Sequence, residues 1–258
     1  MSDAVSSNQR FRLKPVPIIV AAVLGLGLPY AAAILSVLCI KLYHLGIVPG
    51  DNVNWLYLHH AFQLLLALVI IAVLKFWLMP ADYGLHWPRG KTYILPAILW
   101  ASLFAIVMAL VDYAPNLIAH TKPDAGFPLT PANVWGWMFF EGVYVGPTEE
   151  IPFRALLVTY LATAMPGKLR VRLLSGTYEM NWAGIIVALI FALAHAASFF
   201  TRQWEEAVLQ QIYALVLGVL YAYWLEKSKS VVAPMIAHNV SDGLEYVILF
   251  VWLGAFHI

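Results

Sequence analysis

Three short stretches of this 258-residue chain combine side chains that can do chemistry: GPTEEIPFR at 146–154, FALAH at 191–195 and HNVSD at 238–242. Between them they supply Glu149, Glu150, Arg154, His195, His238 and Asp242. A carboxylate can take a proton from water, a histidine can assist it, and further donors can stabilise an oxyanion, so the set suits hydrolysis of an amide. It suits a metal equally well. Glu149, His195, His238 and Asp242 are a zinc-type donor set, and zinc would lower the pKa of a bound water toward about 7. The residue types leave that choice open, and nothing else in the sequence calls for a cofactor.

Spacing sorts the roles. Glu150 and Arg154 are four residues apart and share a helix face, whereas Glu149 is turned away from Glu150 by about 100°. Glu150 is therefore expected to neutralise Arg154 and leave Glu149 free; an ion pair that only locks helix packing is the plainer alternative. Phe191 with His195, and His238 with Asp242, repeat the four-residue spacing, so each pair lines one face. A hydrogen-bonded core histidine is the plainer account of His195 taken singly. Pro147 and Pro152 each remove a backbone donor and free a carbonyl, which inside lipid needs compensation by protein or a wet cavity. The expectation is a water-accessible pocket near Glu149.

The elements that must carry these residues are membrane-spanning helices. Hydrophobic residues make up 62% of the chain and charged ones 11%, and the mean hydropathy of +0.78 lies outside the range of soluble domains. Apolar stretches at 16–42, 54–78, 93–113, 131–163, 182–200, 207–225 and 232–256 each approach the roughly 20 residues needed to cross the hydrocarbon. The expected fold is an all-α polytopic bundle of about seven spans. An eighth, hidden in the long fourth stretch, is the alternative, and Gly142, Gly146, Pro147 and Pro152 there predict tilt or a kink. One domain covers 1–258, with the chemistry in 131–258. The first stretch is too long for a signal-peptide core.

Basic residues set the orientation. Arg10, Arg12, Lys14, Arg89, Lys91, Lys168, Arg170, Arg172, Lys227 and Lys229 all fall on one side, which places the N-terminus and the polar loop 165–181 in the cytoplasm and Ile258 outside. The opposite loops carry only Lys122 and Arg202. Counted from the cytoplasmic ends at ~1.5 Å per residue, Glu149, His195 and Asp242 lie roughly 18 to 24 Å deep, and His238 is shallower. An ionisable group there costs roughly 2.5 to 3.5 kcal/mol to insert, so such groups tend to be paired or functional. Glu141 and Glu245 are expected in the outer part of a cavity as substrate contacts. His59, His60 and Gln63 fall at the outer start of the second span, where wet surroundings make them inexpensive. A single cysteine, Cys39, excludes an intrachain disulfide. Net charge of +1 without a basic, aromatic-interleaved tract gives no reason to expect nucleic acid.

The order EExxxR, FxxxH and HxxxD on three successive spans resembles the CPBP family of intramembrane proteases, which includes the type II CAAX prenyl endopeptidases and the Abi-like proteins. The resemblance covers residues 147–245; the first three stretches match only as hydrophobic segments. It implies that Glu149 activates water with help from His195, that His238 and Asp242 are the oxyanion-stabilising pair, and that Glu150 and Arg154 form a supporting ion pair. The implied activity is an endopeptidase, glutamic-type or metal-dependent, that cuts a membrane-associated, prenylated or tagged protein or peptide. Short loops suit a bacterial inner membrane. Three positions depart from the family pattern: Pro152 within the first motif, Ala155 where glycine often follows the arginine, and Asp242 in place of the commoner asparagine. An ionised aspartate cannot donate to an oxyanion, so Asp242 would have to be protonated, orient His238 or bind a metal. The contrasting reading is a non-enzymatic protein, a proton- or ion-coupled transporter or a helix-binding immunity or scaffold protein, that uses the same buried charges. Transporters often pair broken helices in two similar halves, and the sequence has no such repeat.

Overall fold

Helices form over all seven apolar stretches in a computed structural model of the chain, which describes residues 13–49, 52–173, 176–201 and 203–254. The first half supplies α1 (Pro15–Tyr43), α2 (Val53–Val73, continued by a π-helical turn Leu74–Leu78), α3 (Ile94–Asp112) and the short α4 (Ala114–Ala119). A broken run follows, made of α5 (Pro131–Phe139), α6 (Val145–Glu150) and α7 (Thr159–Ala164). The strands β1 (Lys168–Leu173) and β2 (Gly176–Asn181) lead into α8 (Trp182–Ala194), α9 (Ser198–Thr201), α10 (Trp204–Ser228) and α11 (Val232–Leu253). Among the described residues five segments are long and apolar enough to cross a membrane: Pro15–Tyr43, Val53–Leu78, Ile94–Asp112, Trp182–Thr201 and Trp204–Ser228. The broken run and α11, which carry the prolines, carboxylates and His238, fall outside that set.

The helices begin where capping side chains can take up orphan amides. Asn52 accepts from the Trp55 amide, Thr130 from that of Asn133, and Asn181 from that of Ala183. Large apolar side chains on α1 to α3, among them Val16, Val23, Ile34, Leu95 and Leu99, point outward. In water such a surface would be a liability; against lipid tails it needs no partner. The interior holds Leu156, Leu157, Leu161, Val187 and Phe191, so α8 and the broken run form the centre of the bundle.

Loop 165–181 is a correction. It forms an antiparallel hairpin in which Arg170 pairs with Glu179 across the strands, their Nε and Oε1 2.5 Å apart. The strict alternation of Lys168, Arg170 and Arg172 with Leu169, Val171 and Leu173 is a strand period. Glu226, near the end of α10, anchors the hairpin by accepting from the Asn181 amide at 2.5 Å and meeting Lys168 Nζ at 3.5 Å. Lys14 Nζ donates to the Ala164 carbonyl at 2.8 Å, and the Val231 amide donates to Gly84 at 3.0 Å. These ties gather the basic residues from Lys14 onward at one end of the bundle. Arg10, Arg12, Arg202 and Ile258 lie outside the described residues.

Candidate active site

The broken run reaches the centre because glycines let it touch α11. A Cβ on Gly146 would collide with the Met235 carbonyl and Asn239, and one on Gly243 would come within 2.7 Å of Gly142 Cα. π-Helical stretches at Phe140–Tyr144 and Ile151–Val158 flank α6 in the stretch where tilt or a kink was expected. The carbonyls that Pro147 and Pro152 would have met one α-turn back are those of Val143 and Thr148. Asn239 Nδ2 donates to Val143 O at 3.1 Å while its Oδ1 accepts from the Gly146 amide at 2.7 Å. Gln63 Nε2 donates to Thr148 O at 3.2 Å. Two side-chain amides from neighbouring helices thus supply the compensation that the sequence reading assigned to a wet pocket.

Glu150 is fully buried, and its Oε1 lies 3.0 Å from Arg154 Nη1 and accepts from His238 Nδ1 at 2.7 Å. The expected ion pair is therefore present, and it reaches a second helix. Arg154 sits with its guanidinium carbon 4.3 Å from the Phe191 ring centre and 5.2 Å from that of Tyr221. None of its nitrogens makes a well-aligned hydrogen bond, so the Glu150 contact is ionic and the two rings supply the rest of its environment. His238 Nε2 lies 3.2 Å from Asp242 Oδ2 and 3.8 Å from Glu149 Oε2. Its ring stacks on Tyr221, and the Ser241 hydroxyl, 2.8 Å from the Tyr221 hydroxyl, donates to Asp242 Oδ1 at 2.7 Å.

His195 closes α8. Its Nδ1–H donates to the Phe191 carbonyl at 2.9 Å, which leaves Nε2 without a hydrogen in the neutral ring. The Phe191 ring lies 4.7 Å from His195 and 6.1 Å from His238, so it separates the two imidazoles. His195, His238 and Asp242 line a cavity of about 660 Å³ together with Glu141, Glu245 and Tyr221. Asp112, Asp124 and Glu206 also line it, Glu206 at the start of α10, the end away from the hairpin anchored at Glu226. Glu141 and Glu245, expected at a cavity, are thus both found in its lining.

One residue near Glu149 corrects the sequence expectation, which placed it in wet surroundings at the outer start of the second span. His60, on α2, is buried at 8% exposure rather than wet, and its Nε2 comes within 3.9 Å of Glu149 Oε1. Among the described residues, His60 and His238, not His195, are the histidines in ion-pair range of Glu149. The only sequence signal would have been Gln63 three residues on, which marks a polar face of α2 aimed at the same helix.

Compared with known families, residues 131–244 match the family model described as Type II CAAX prenyl endopeptidase Rce1-like. This match supports the CPBP family of intramembrane proteases. The matched segment contains all seven residues that the three motifs specify. No curated protein and no solved structure gives a significant match. The membrane location and a membrane-associated substrate follow from the family together with the apolar helices.

The CPBP segment does not assemble Glu149, His195, His238 and Asp242 into a metal site. Among the described residues no group of three or more His, Cys, Asp or Glu side chains is arranged to hold a metal ion. His238, closest to both Glu149 and Asp242, already has Nδ1 on Glu150 and Nε2 facing Asp242.

Proposed function

We propose that this CPBP-family chain is an endopeptidase whose residues 131–258 form the catalytic half, with Glu149 as the base that activates water. One observation carries the reading: Glu149, only 13% exposed, has no hydrogen-bond partner among the described residues, and His60 Nε2 and His238 Nε2 stand 3.9 and 3.8 Å from its two oxygens. Those gaps are too long for direct hydrogen bonds, yet a single water can touch both sides of such a gap. In the proposed step Glu149 takes one proton from the water as its oxygen bonds to the scissile carbonyl carbon. The carbonyl electrons move to oxygen, and the collapsing intermediate expels the amine, which receives the proton from Glu149. With Glu150 accepting at Nδ1 and Asp242 facing Nε2, His238 carries a hydrogen on both nitrogens in the proposed step, and its Nε2–H turns from Asp242 to the developing charge as the oxyanion donor. This gives Asp242 a role that needs no proton of its own. His195, with its bare Nε2 on the cavity wall, accepts from the substrate amide N–H.

The substrate is a peptide segment held at or in the bilayer, and a bacterial inner membrane is the proposed location. Comparative peptidomics of membranes carrying wild-type protein or Glu149→Gln tests the reading, because the uncut substrate should accumulate only in the variant. His195→Ala and His238→Ala should each abolish turnover in protein that remains folded. Wild-type cleavage rates in either variant would remove that residue from the mechanism, and an active Glu149→Gln would sink the protease reading in favour of a structural or transport role for the charges.

A further inference from the structure

α2 lies outside the matched segment, yet it places an imidazole against the carboxylate at the centre of the site. His60 Nδ1 is 3.0 Å from Thr148 Oγ1. The Thr148 hydroxyl donates to the carbonyls of Tyr144 and Val145, at 2.9 and 3.0 Å, so its hydrogen is committed and its oxygen must accept from His60. The hydrogen of the neutral imidazole is therefore on Nδ1, and Nε2 carries a lone pair. That lone pair faces Glu149 Oε1 across 3.9 Å. Two acceptors at this separation cannot bond to each other; they need a donor between them. The Phe140 ring, edge-on with its centre 5.0 Å from the imidazole, helps to fix the ring plane.

From this juxtaposition we infer that His60 is the second acceptor for the hydrolytic water, which it holds together with Glu149. A water about 2.8 Å from each atom directs one hydrogen to Glu149 Oε1 and the other to His60 Nε2. Both hydrogens are then held, and a lone pair on the water oxygen is left to attack. The hydrogen on the Glu149 side moves to the carboxylate as the C–O bond forms; the other stays on the oxygen that becomes part of the product acid. His60 thus orients the nucleophile without itself being protonated, which is an entropic contribution to the barrier. The inference rests on the protease reading and adds to it a residue from the half of the chain that the family match does not cover.

Two substitutions separate this role from packing. His60→Asn keeps a donor where Nδ1 meets Thr148 but has no acceptor at the Nε2 position, whereas His60→Gln carries an amide oxygen that reaches about as far as Nε2. With an internally quenched farnesylated peptide ending in a CAAX sequence, His60→Asn should lower kcat by roughly 100-fold, the low end for a positioned proton-handling group. KM and melting temperature should stay near wild type, and His60→Gln should recover part of the rate. A purely structural histidine would instead lower the melting temperature in both variants. Independently of turnover, long-range proton–nitrogen spectra of histidine-labelled protein in micelles should show His60 as the Nδ1–H tautomer with a bare Nε2. An Nε2–H tautomer, or wild-type kcat in His60→Asn alongside an inactive Glu149→Gln, would overturn the inference and leave the protease reading standing. An active Glu149→Gln would remove both.

Discussion

Glu150 Oε1 is shared by Arg154 at 3.0 Å and His238 at 2.7 Å, in surroundings that exclude water from all three side chains. Replacing Glu150 with Gln leaves a buried guanidinium and an imidazole without their counter-charge, at a cost of about 3–5 kcal/mol. That variant should melt well below wild type in detergent. Glu149 sits beside two imidazoles without bonding to either, so Glu149→Gln removes a desolvated charge and leaves no partner stranded. It should melt at or above wild type and cleave nothing. Melting and cleavage measured on both variants decide the matter: a stable, inactive Glu150→Gln beside an unstable Glu149→Gln would exchange the two roles.

The broken run holds its shape through side chains that other elements lend it. Gln63 from α2 caps the Thr148 carbonyl because residue 152 is proline and has no amide hydrogen to offer. Gln63→Leu should therefore cost about 1–3 kcal/mol, the penalty of an unsatisfied buried acceptor. The cost should shrink in a Pro152→Ala background, where the alanine amide can take over. Equal losses in both backgrounds, read from a double-mutant cycle of melting data, would show that Gln63 does something else. The loop between α2 and α3 offers a test by pH. His86 donates to the Trp87 carbonyl at 2.8 Å and to Asp82 at 3.0 Å, and these two acceptors hold its pKa above the ordinary histidine value. Its contribution to stability is complete below about pH 6.5, the unperturbed value, and is lost as pH rises through the raised one. Asp82→Asn should flatten that part of the stability profile, and an unchanged profile would show that the pair is too exposed to matter.

The bundle as a whole has two unlike ends. One collects Lys14, the basic hairpin and the α10–α11 turn; the other bears the acidic part of the cavity lining, Asp112, Asp124 and Glu206. Basic residues are retained on the cytoplasmic side during insertion, so the cavity is expected to open on the opposite face. Val171, on β1 and 36% exposed, is a suitable reporter. In intact cells carrying Val171→Cys, a membrane-impermeant thiol reagent should label position 171 only after permeabilisation. Labelling from outside would invert the orientation and with it the side from which substrate enters.

The seven helical stretches, the Glu150–Arg154 pair and the placing of His238 and Asp242 on one face were legible in the sequence, because hydropathy over about 20 residues and a four-residue spacing are local properties of one helix. The hairpin was legible too, in the alternation around Arg170, but its charges were read as a loop. What joins Glu150 to His238, Asn239 to Val143, Gln63 to Thr148 and His60 to Glu149 was decided only by the tertiary structure. Each of these contacts crosses between helices nearly 90 residues apart, and which faces meet depends on where glycines such as Gly146 and Gly243 allow backbones to close. The sequence fixes what each helix presents along its own face. Only helix packing, a global sum over many weak contacts, determines which faces meet, and with them whether a histidine on α2 lies in wet surroundings or against the glutamate of the site.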